Sequence, residues 1–571
     1  MQIRTKIVLA LILFEFHSIA LHAQSAFIPI GSESVHMLER LEIKSGRLAE
    51  PLEFNASSQS YKRSSIASYV DSFDVSHTSL SKQDYFNLDY LQNDNFEFSK
   101  SENTKSIKPL FGNTIYKHKS AFFDVTSTDF NLVVNPVAYL DYGYDTKLQH
   151  NVSLNNRGIE IRGSIKNVLG FYTQVSDEVI GPNIWVTNYY QRDSVIPGAG
   201  LLKMENWQSN RTIDYFLASG YITLQASKYI DIQFGHGKNF LGNGFRTFYM
   251  SDFSVDHLFL RINTKVWKIH YTNIFGEVLD YVYPHEPTLP ARHYYATTYA
   301  NINFTKKFNL GLFQTIIFQR DSGYANGGFD PQYLNPIILY KPIENNLNSP
   351  DKALLGSDFK YNFAKHFSLY GQCVISEFII SEVIANKGFW ANKQAYQLGL
   401  KYIDAFTVNN LDLQFEFNQA NPYMYSSFSK LDTWVNYRQD MAHPLGANFM
   451  EFISVVRYQP MNRLFLKGTF IIALYGEDTP GISNSNWGKN IGLSYLVHPQ
   501  DYGNYVGQGI TTHLYKFDIA ASYMLKHNLF LTFQLTYRKT SSVSFSDFYD
   551  SETVVGSVGI RWNIAERRYD F

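Results

Sequence analysis

Short polar turns punctuate this chain around Asn167, Ser227, Thr264, Lys306, Lys365, Val408, Met461 and His527, and each lies between two runs of alternating residues. From one turn to the next the order repeats: a strand, a longer polar loop, a returning strand. Eight short turns join sixteen strands, and one strand before the first turn and one after the last make eighteen. An even number with both chain ends on the short-turn side is what an outer-membrane β-barrel requires.

The alternation has period two. Leu411, Leu413, Phe415 and Phe417 alternate with Asp412, Gln414, Glu416 and Asn418. Ile159, Ile161, Gly163 and Ile165 alternate with Glu160, Arg162, Ser164 and Lys166, and Leu529, Leu531, Phe533, Leu535 and Tyr537 continue the pattern after Lys526-His527-Asn528. Successive strand side chains point to opposite faces, so one face is apolar and the other carries charges and amides. A soluble β-sandwich also alternates. Against it stand strands of about 9–11 residues, the length that crosses a bilayer when tilted, the strict succession of short and long loops, and aromatics at strand ends. Lipid offers no partner to an open sheet edge, so a membrane sheet must close. Aromatic residues make up 16% of the 571 positions, which suits two interfacial girdles. No mature segment has eighteen consecutive apolar residues, which argues against membrane helices. The net charge of −1 gives no general footprint for nucleic acid.

Residues 1–23 read as a signal peptide: Arg4 and Lys6, the apolar run Ile7–Phe14, and Leu21-His22-Ala23 before a cut at Gln24. Eight apolar residues followed by Glu15 are too short for an anchor that spans. The only cysteine, Cys373, leaves no intramolecular disulfide and no lipoprotein anchor near the cut. Residues 24–117 form a helical periplasmic region in this reading. Ser32 caps a helix with Val35, Leu38 and Leu41 on one face and Gly46 beyond its end. Ile66, Tyr69, Val70 and Phe73 mark a second. Ser81 and Asp84 form a capping box before Tyr85, Leu88 and Leu91. A disordered leader is the alternative. Residues 118–571 are the barrel, with strands from Ala121 to Ile564. Its long loops face outward at 143–156, 177–214, 238–256, 277–293, 319–356, 377–394, 419–447, 473–512 and 540–553.

Gly235–Arg246, GHGKNFLGNGFR, invites a phosphate-loop reading, which fails because no helix follows and the spacing matches neither nucleotide motif. The glycines instead let a strand bend into a loop folded over the pore. A sharper reading makes Lys238 and Arg246 contacts for an anionic polymer, with the Tyr249 ring beside them; the structural alternative pairs both cations with carboxylates inside the lumen. The last strand carries Ile560, Trp562 and Ile564, but Ala565–Phe571 changes parity, so Phe571 has no assured place in that strand. No zinc-protease or nucleophile-elbow motif and no Cys–His metal spacing is present, so neither an enzyme nor a metal or other cofactor is expected.

Two further segments, Tyr333–Phe363 and AHPLGANFMEF at Ala442–Phe452, lead from loops with Pro, Asn and acidic residues into strands. With the glycine-rich segment they resemble the capsule-assembly Wzi family of outer-membrane barrels, and most of all its RemB-type gliding-motility members. The resemblance covers nearly the whole mature chain. It implies an eighteen-stranded barrel with a helical periplasmic part, located in the outer membrane. It also implies partnership with surface polysaccharide or with motility and envelope proteins, and carries over no catalytic motif. The rival readings are a porin-like solute channel and a structural partner of a motility machine.

Overall fold

The computed structural model describes residues 25–48, 61–73, 75–107, 109–111, 114–166, 168–200, 202–206, 211–280, 290–319, 328–335, 340, 342, 351–377, 379–482 and 485–571. The leader 1–23 and the turn residue Asn167 lie outside the described residues.

Strands β1 (Phe130–Asp145), β2 (His150–Ile165), β3 (Leu169–Gly181), β4 (Thr212–Gln225), β5 (Ile230–Gly237), β6 (His257–Val266), β7 (Ile269–Leu279), β8 (Arg292–Asn303) and β9 (Phe308–Phe318) form one half of the wall. The other half is β10 (Lys352–Phe363), β11 (Phe367–Glu377), β12 (Lys393–Tyr402), β13 (Leu411–Ala420), β14 (Phe449–Met461), β15 (Leu464–Glu477), β16 (Ile510–Lys526), β17 (Leu529–Ser542) and β18 (Ser551–Trp562). All neighbours are antiparallel, and β18 returns to β1 through Ala138↔Trp562 to Asp145↔Val555, closing the eighteen-strand barrel. The lower half of β1 pairs with the short strand Phe123–Thr126 instead. The ring therefore runs from Phe130 to Trp562, inside the expected limits.

Burial is inverted relative to a soluble sheet. On β13, Phe415 and Phe417 are 37% and 41% exposed, whereas Glu416 and Asn418 are 1% and 0% exposed. Apolar side chains form the outside and polar ones the lumen, the arrangement a lipid-facing barrel needs. Near the short turns, stacked or edge-on rings run from Phe308 through Tyr361, Phe363, Phe367 and Tyr402 to Phe406, an aromatic girdle. One expected turn is misplaced. The chain reverses at Trp267–Lys268, after Val266 pairs with Ile269, three residues beyond Thr264. The first long loop is also shorter than expected, because β1 and β2 extend to Asp145 and His150.

Among the described residues, three α-helices precede the wall: α1 (Glu33–Ser45), α2 (Arg63–Asp71) and α3 (Lys82–Asp94). Gly46 ends α1 in the left-handed region at φ 66°, and Ser81 and Asp84 form the reciprocal capping box of α3. Ser32 flanks α1 in extended geometry without a side-chain cap bond. The helices bury Leu38, Leu41, Ile66, Val70 and Leu91 among themselves and against Met524 and Phe530 of the wall. A fourth helix, α4 (Ile184–Asp193), stands in the loop after β3, capped by the Asn183 side chain on Val186 N–H at 3.1 Å.

Candidate functional site

Polar inward faces would enclose an aqueous lumen if nothing entered it. Among the described residues, four segments enter here. At the short-turn end, α1 and α3 present charges to the wall. Arg40 reaches Asp84 of α3 at 2.9 Å and also pairs with Asp404 and Asp412. Lys44 pairs with Asp84 and, at 2.8 Å, with Asp404. Lys360 and Lys401 reach back from the wall to Glu42 at 2.5 Å and Glu39 at 2.7 Å, and Arg561 pairs with Glu33. Burial works against the charge of Asp84, but Arg40 and Lys44 outweigh it and hold its carboxyl down at about 2.

The second segment is the glycine-rich loop after β5. Gly242 has φ 143°, and a Cβ there would sit 2.7 Å from the Gln372 amide; at Gly244 it would sit 2.6 Å from a Glu416 carboxylate oxygen. The missing side chains let the backbone pass against the wall, where Phe245 and Arg246 N–H donate to Glu416 at 2.6 and 2.9 Å and Gln397 donates to the Arg246 carbonyl at 3.0 Å. The Arg246 guanidinium pairs with Glu451 at 3.2 Å and Asp570 at 3.1 Å. His443, wholly buried, hydrogen-bonds the other Glu451 oxygen at 2.8 Å.

Of the three residues singled out in the sequence, Arg246 and Tyr249 are therefore buried inside the lumen. Tyr249 stacks on Phe313 with ring centroids 4.2 Å apart and is 0% exposed, so neither ring face is open to a sugar. Lys238 is half-buried, donates to the Asp252 carbonyl at 2.8 Å, and has its amine pushed down by burial. The geometry of Arg246 is that of a brace between loop and wall.

The third segment, between β13 and β14, fills the long-loop end chiefly with aromatic and aliphatic side chains. Trp434 is fully buried, donates its indole N–H to the Tyr249 carbonyl at 2.7 Å, and meets Tyr295 edge-on at 5.3 Å. Tyr425 donates to the Phe248 carbonyl at 2.8 Å. The fourth segment follows β18. It leaves the strand at Trp562 and turns into the lumen, where Arg567 pairs with Glu178 at 2.6 Å and Asp570 with Arg246. Phe571 packs against Tyr189 of α4 and against Phe253. The change of parity after Ile564 signals the departure; nothing local signals the destination. Between the segments lie two adjoining cavities of about 210 and 260 Å³, both bordered by Phe240, Phe245, Asp252, Glu566 and Arg568.

Above the lumen, loops 379–392 and 485–509 form an aromatic rim. Trp390 stacks on His498 at 4.5 Å and lies against Tyr495 at 4.9 Å, while Tyr502 and Tyr505 are 49% and 61% exposed.

No protein-family model and no curated protein matches the chain. Among solved structures the fold is similar to that of Wzi from Escherichia coli, described as an outer-membrane protein involved in group 1 capsule assembly and a carbohydrate-binding β-barrel. The match has 10% identity and a TM-score of 0.57, and covers 95% of this chain and 100% of that one. The two chains share a fold. Lower similarity links this chain to OccAB2 of Acinetobacter baumannii, with 10% identity, a TM-score of 0.42, and coverage of 76% and 97% of the two chains. OprD of Pseudomonas aeruginosa matches with 10% identity, a TM-score of 0.40, and coverage of 76% and 94%.

Proposed function

We propose that this chain is a non-enzymatic outer-membrane barrel that binds or organises cell-surface polysaccharide, with its long loops outside and its helices in the periplasm. The observation that carries the reading is the filled lumen: α1 and α3, the glycine-rich loop, the 421–448 loop and the 563–571 segment all enter it and are bonded to its wall. A wall so occupied is a scaffold for its loops rather than a conduit. The shared fold with a carbohydrate-binding barrel supports the same reading. Polymer contact falls to the exposed rim, where Tyr502 and Tyr505 offer ring faces beside Asp501 and Asn504. Arg246 and Tyr249 brace the inserted loops from within, and Lys238 borders a cavity together with Arg246. A gliding role is the finer part of the proposal and rests on the family resemblance alone.

The test is deletion of the gene, scored for surface polysaccharide staining and colony spreading, with complementation by wild type and by Y502A/Y505A. Loss of retained polysaccharide that wild type restores and the double variant does not is the expected result. Normal polysaccharide in the deletion strain would refute the binding role, and normal spreading would remove the gliding component.

A further inference from the structure

The loop joining β11 to β12 holds a short helix, Ile380–Ala385, with no buried residue. Ile379, Ile380, Val383 and Ile384 are 50%, 65%, 38% and 78% exposed. Four large aliphatic side chains on one turn and a half are an apolar patch that water does not favour. The loop is held firmly despite its exposure. Trp390 and Gly503 N–H donate to the Asp501 and Lys387 carbonyls, and Asn504 N–H to Gly388, each at 2.9 Å, and Tyr502 reaches Glu382 at 3.4 Å. The polar side of the helix thus faces the neighbouring loop, and the aliphatic side chains are left outside.

Their height on the barrel identifies what covers them. β11 begins at the girdle residue Phe367 and ends at Glu377. Ten steps along a tilted strand rise about 25 Å at ~2.5 Å each, which is the height of the apolar band of such a barrel. Glu377 therefore marks the upper edge of the band. The helix starts three residues later, within about 10 Å. Directly below it the outer wall is lipid-facing: Cys373 opposes Tyr396 across β11 and β12, and Tyr396 and Leu398 are 41% and 53% exposed. The patch continues this belt upward, and the exposed Lys387 follows two residues after the helix.

We propose that Ile380–Ala385 is a membrane-surface anchor: its isoleucines and valine enter the headgroup–acyl boundary of the leaflet at the long-loop end and so fix the height of the rim loops stitched to it. Short apolar faces at this depth bind through buried area plus attraction to anionic lipid.

The anchor is tested in full-length protein carrying C373A and one new cysteine, I384C, labelled with an environment-sensitive fluorophore and reconstituted into phosphatidylcholine–phosphatidylglycerol vesicles. F533C serves as the belt control and Y505C as the exposed control. Acyl-brominated lipid is expected to quench the probe at 384 about as strongly as at 533, and aqueous iodide to quench it less than at 505. A probe at 384 that behaves like the one at 505 overturns the proposal. Protection from iodide without quenching by brominated lipid also overturns it, because a protein partner or second copy would then cover the face. Heat-modifiability of each labelled variant verifies that the barrel is folded.

Discussion

The two ends of this barrel are filled by segments of opposite chemistry. At the short-turn end, Arg40 and Lys44 are surrounded by Asp84, Asp404 and Asp412, and further lysine–glutamate pairs ring them. At the long-loop end, Trp434, Tyr425, Met424 and Met441 pack with Tyr249 and Phe313 in a fully buried neutral cluster. A buried ion pair contributes little net stability, because desolvation offsets the attraction, yet breaking one partner leaves an uncompensated charge. Buried aromatic rings stabilise outright through area and packing. The short-turn closure therefore fixes the position of the helices, while the long-loop closure supplies cohesion. One is releasable by changing charge, and the other only by removing bulk.

The largest effect is expected from R40A. It removes the cation shared by three carboxylates, leaving Lys44 alone against Asp84 and Asp404, and should weaken helix docking by about 3–5 kcal/mol, read as protease sensitivity of residues 25–117 at lower urea while the barrel stays heat-modifiable. Docking unchanged by R40A would mean that the ionic cluster does not hold the helices. W434A should follow at about 3–4 kcal/mol, seen as protease cleavage within 421–448 with α1 to α3 still protected. Cleavage at both ends in either variant would show that the two closures are one unit.

A third substitution separates closures from wall. F533R places a charge on the lipid face and should cost about 2–4 kcal/mol, measured by folding into lipid vesicles, whereas Q534R faces the lumen beside Asp518 and should be tolerated. Equal costs would reverse the assigned faces.

The smallest effects are those of pH, and they run in opposite directions. Asp84 titrates at about 2, below an ordinary carboxyl, so its contribution is complete above pH ~4 and is lost as pH falls toward 2. Asp440, in the long-loop closure, is pushed up to about 8 by burial, with Arg192 only partly opposing this. Its contribution is present at low pH and is lost as pH rises from ~4 through 8. Acid should expose the helices to protease and mild alkali the 421–448 loop, and D84N and D440N should remove the respective dependences.

The wall was legible in the sequence because it is local. Period-two alternation such as Leu411–Asn418 reports the two faces of a strand directly, and Ser81 with Asp84 marks a helix start within four residues. The Thr264 error has the same origin. Alternation continues through Lys265 and Val266 into a turn made by Trp267 and Lys268, neither of which is a turn-forming type, with Trp267 at φ 55°. The lumen was not legible because its contacts are remote: Arg246 meets Asp570, and Arg40 meets Asp412, across more than three hundred residues. Sequence offered both a surface and a bracing role for Arg246, and only the fold brings its carboxylates to it. Helix α4 escaped notice because Trp185, Val186 and Tyr189 sit in a loop rich in polar residues and read equally well as strand.

Conductance in a planar bilayer distinguishes a filled scaffold from an open channel. Intact protein is predicted to give little steady current, and R40A/W434A, with both closures weakened, to give open steps. A large, steady conductance from the intact protein would show an open lumen and return the chain to the porin-like reading.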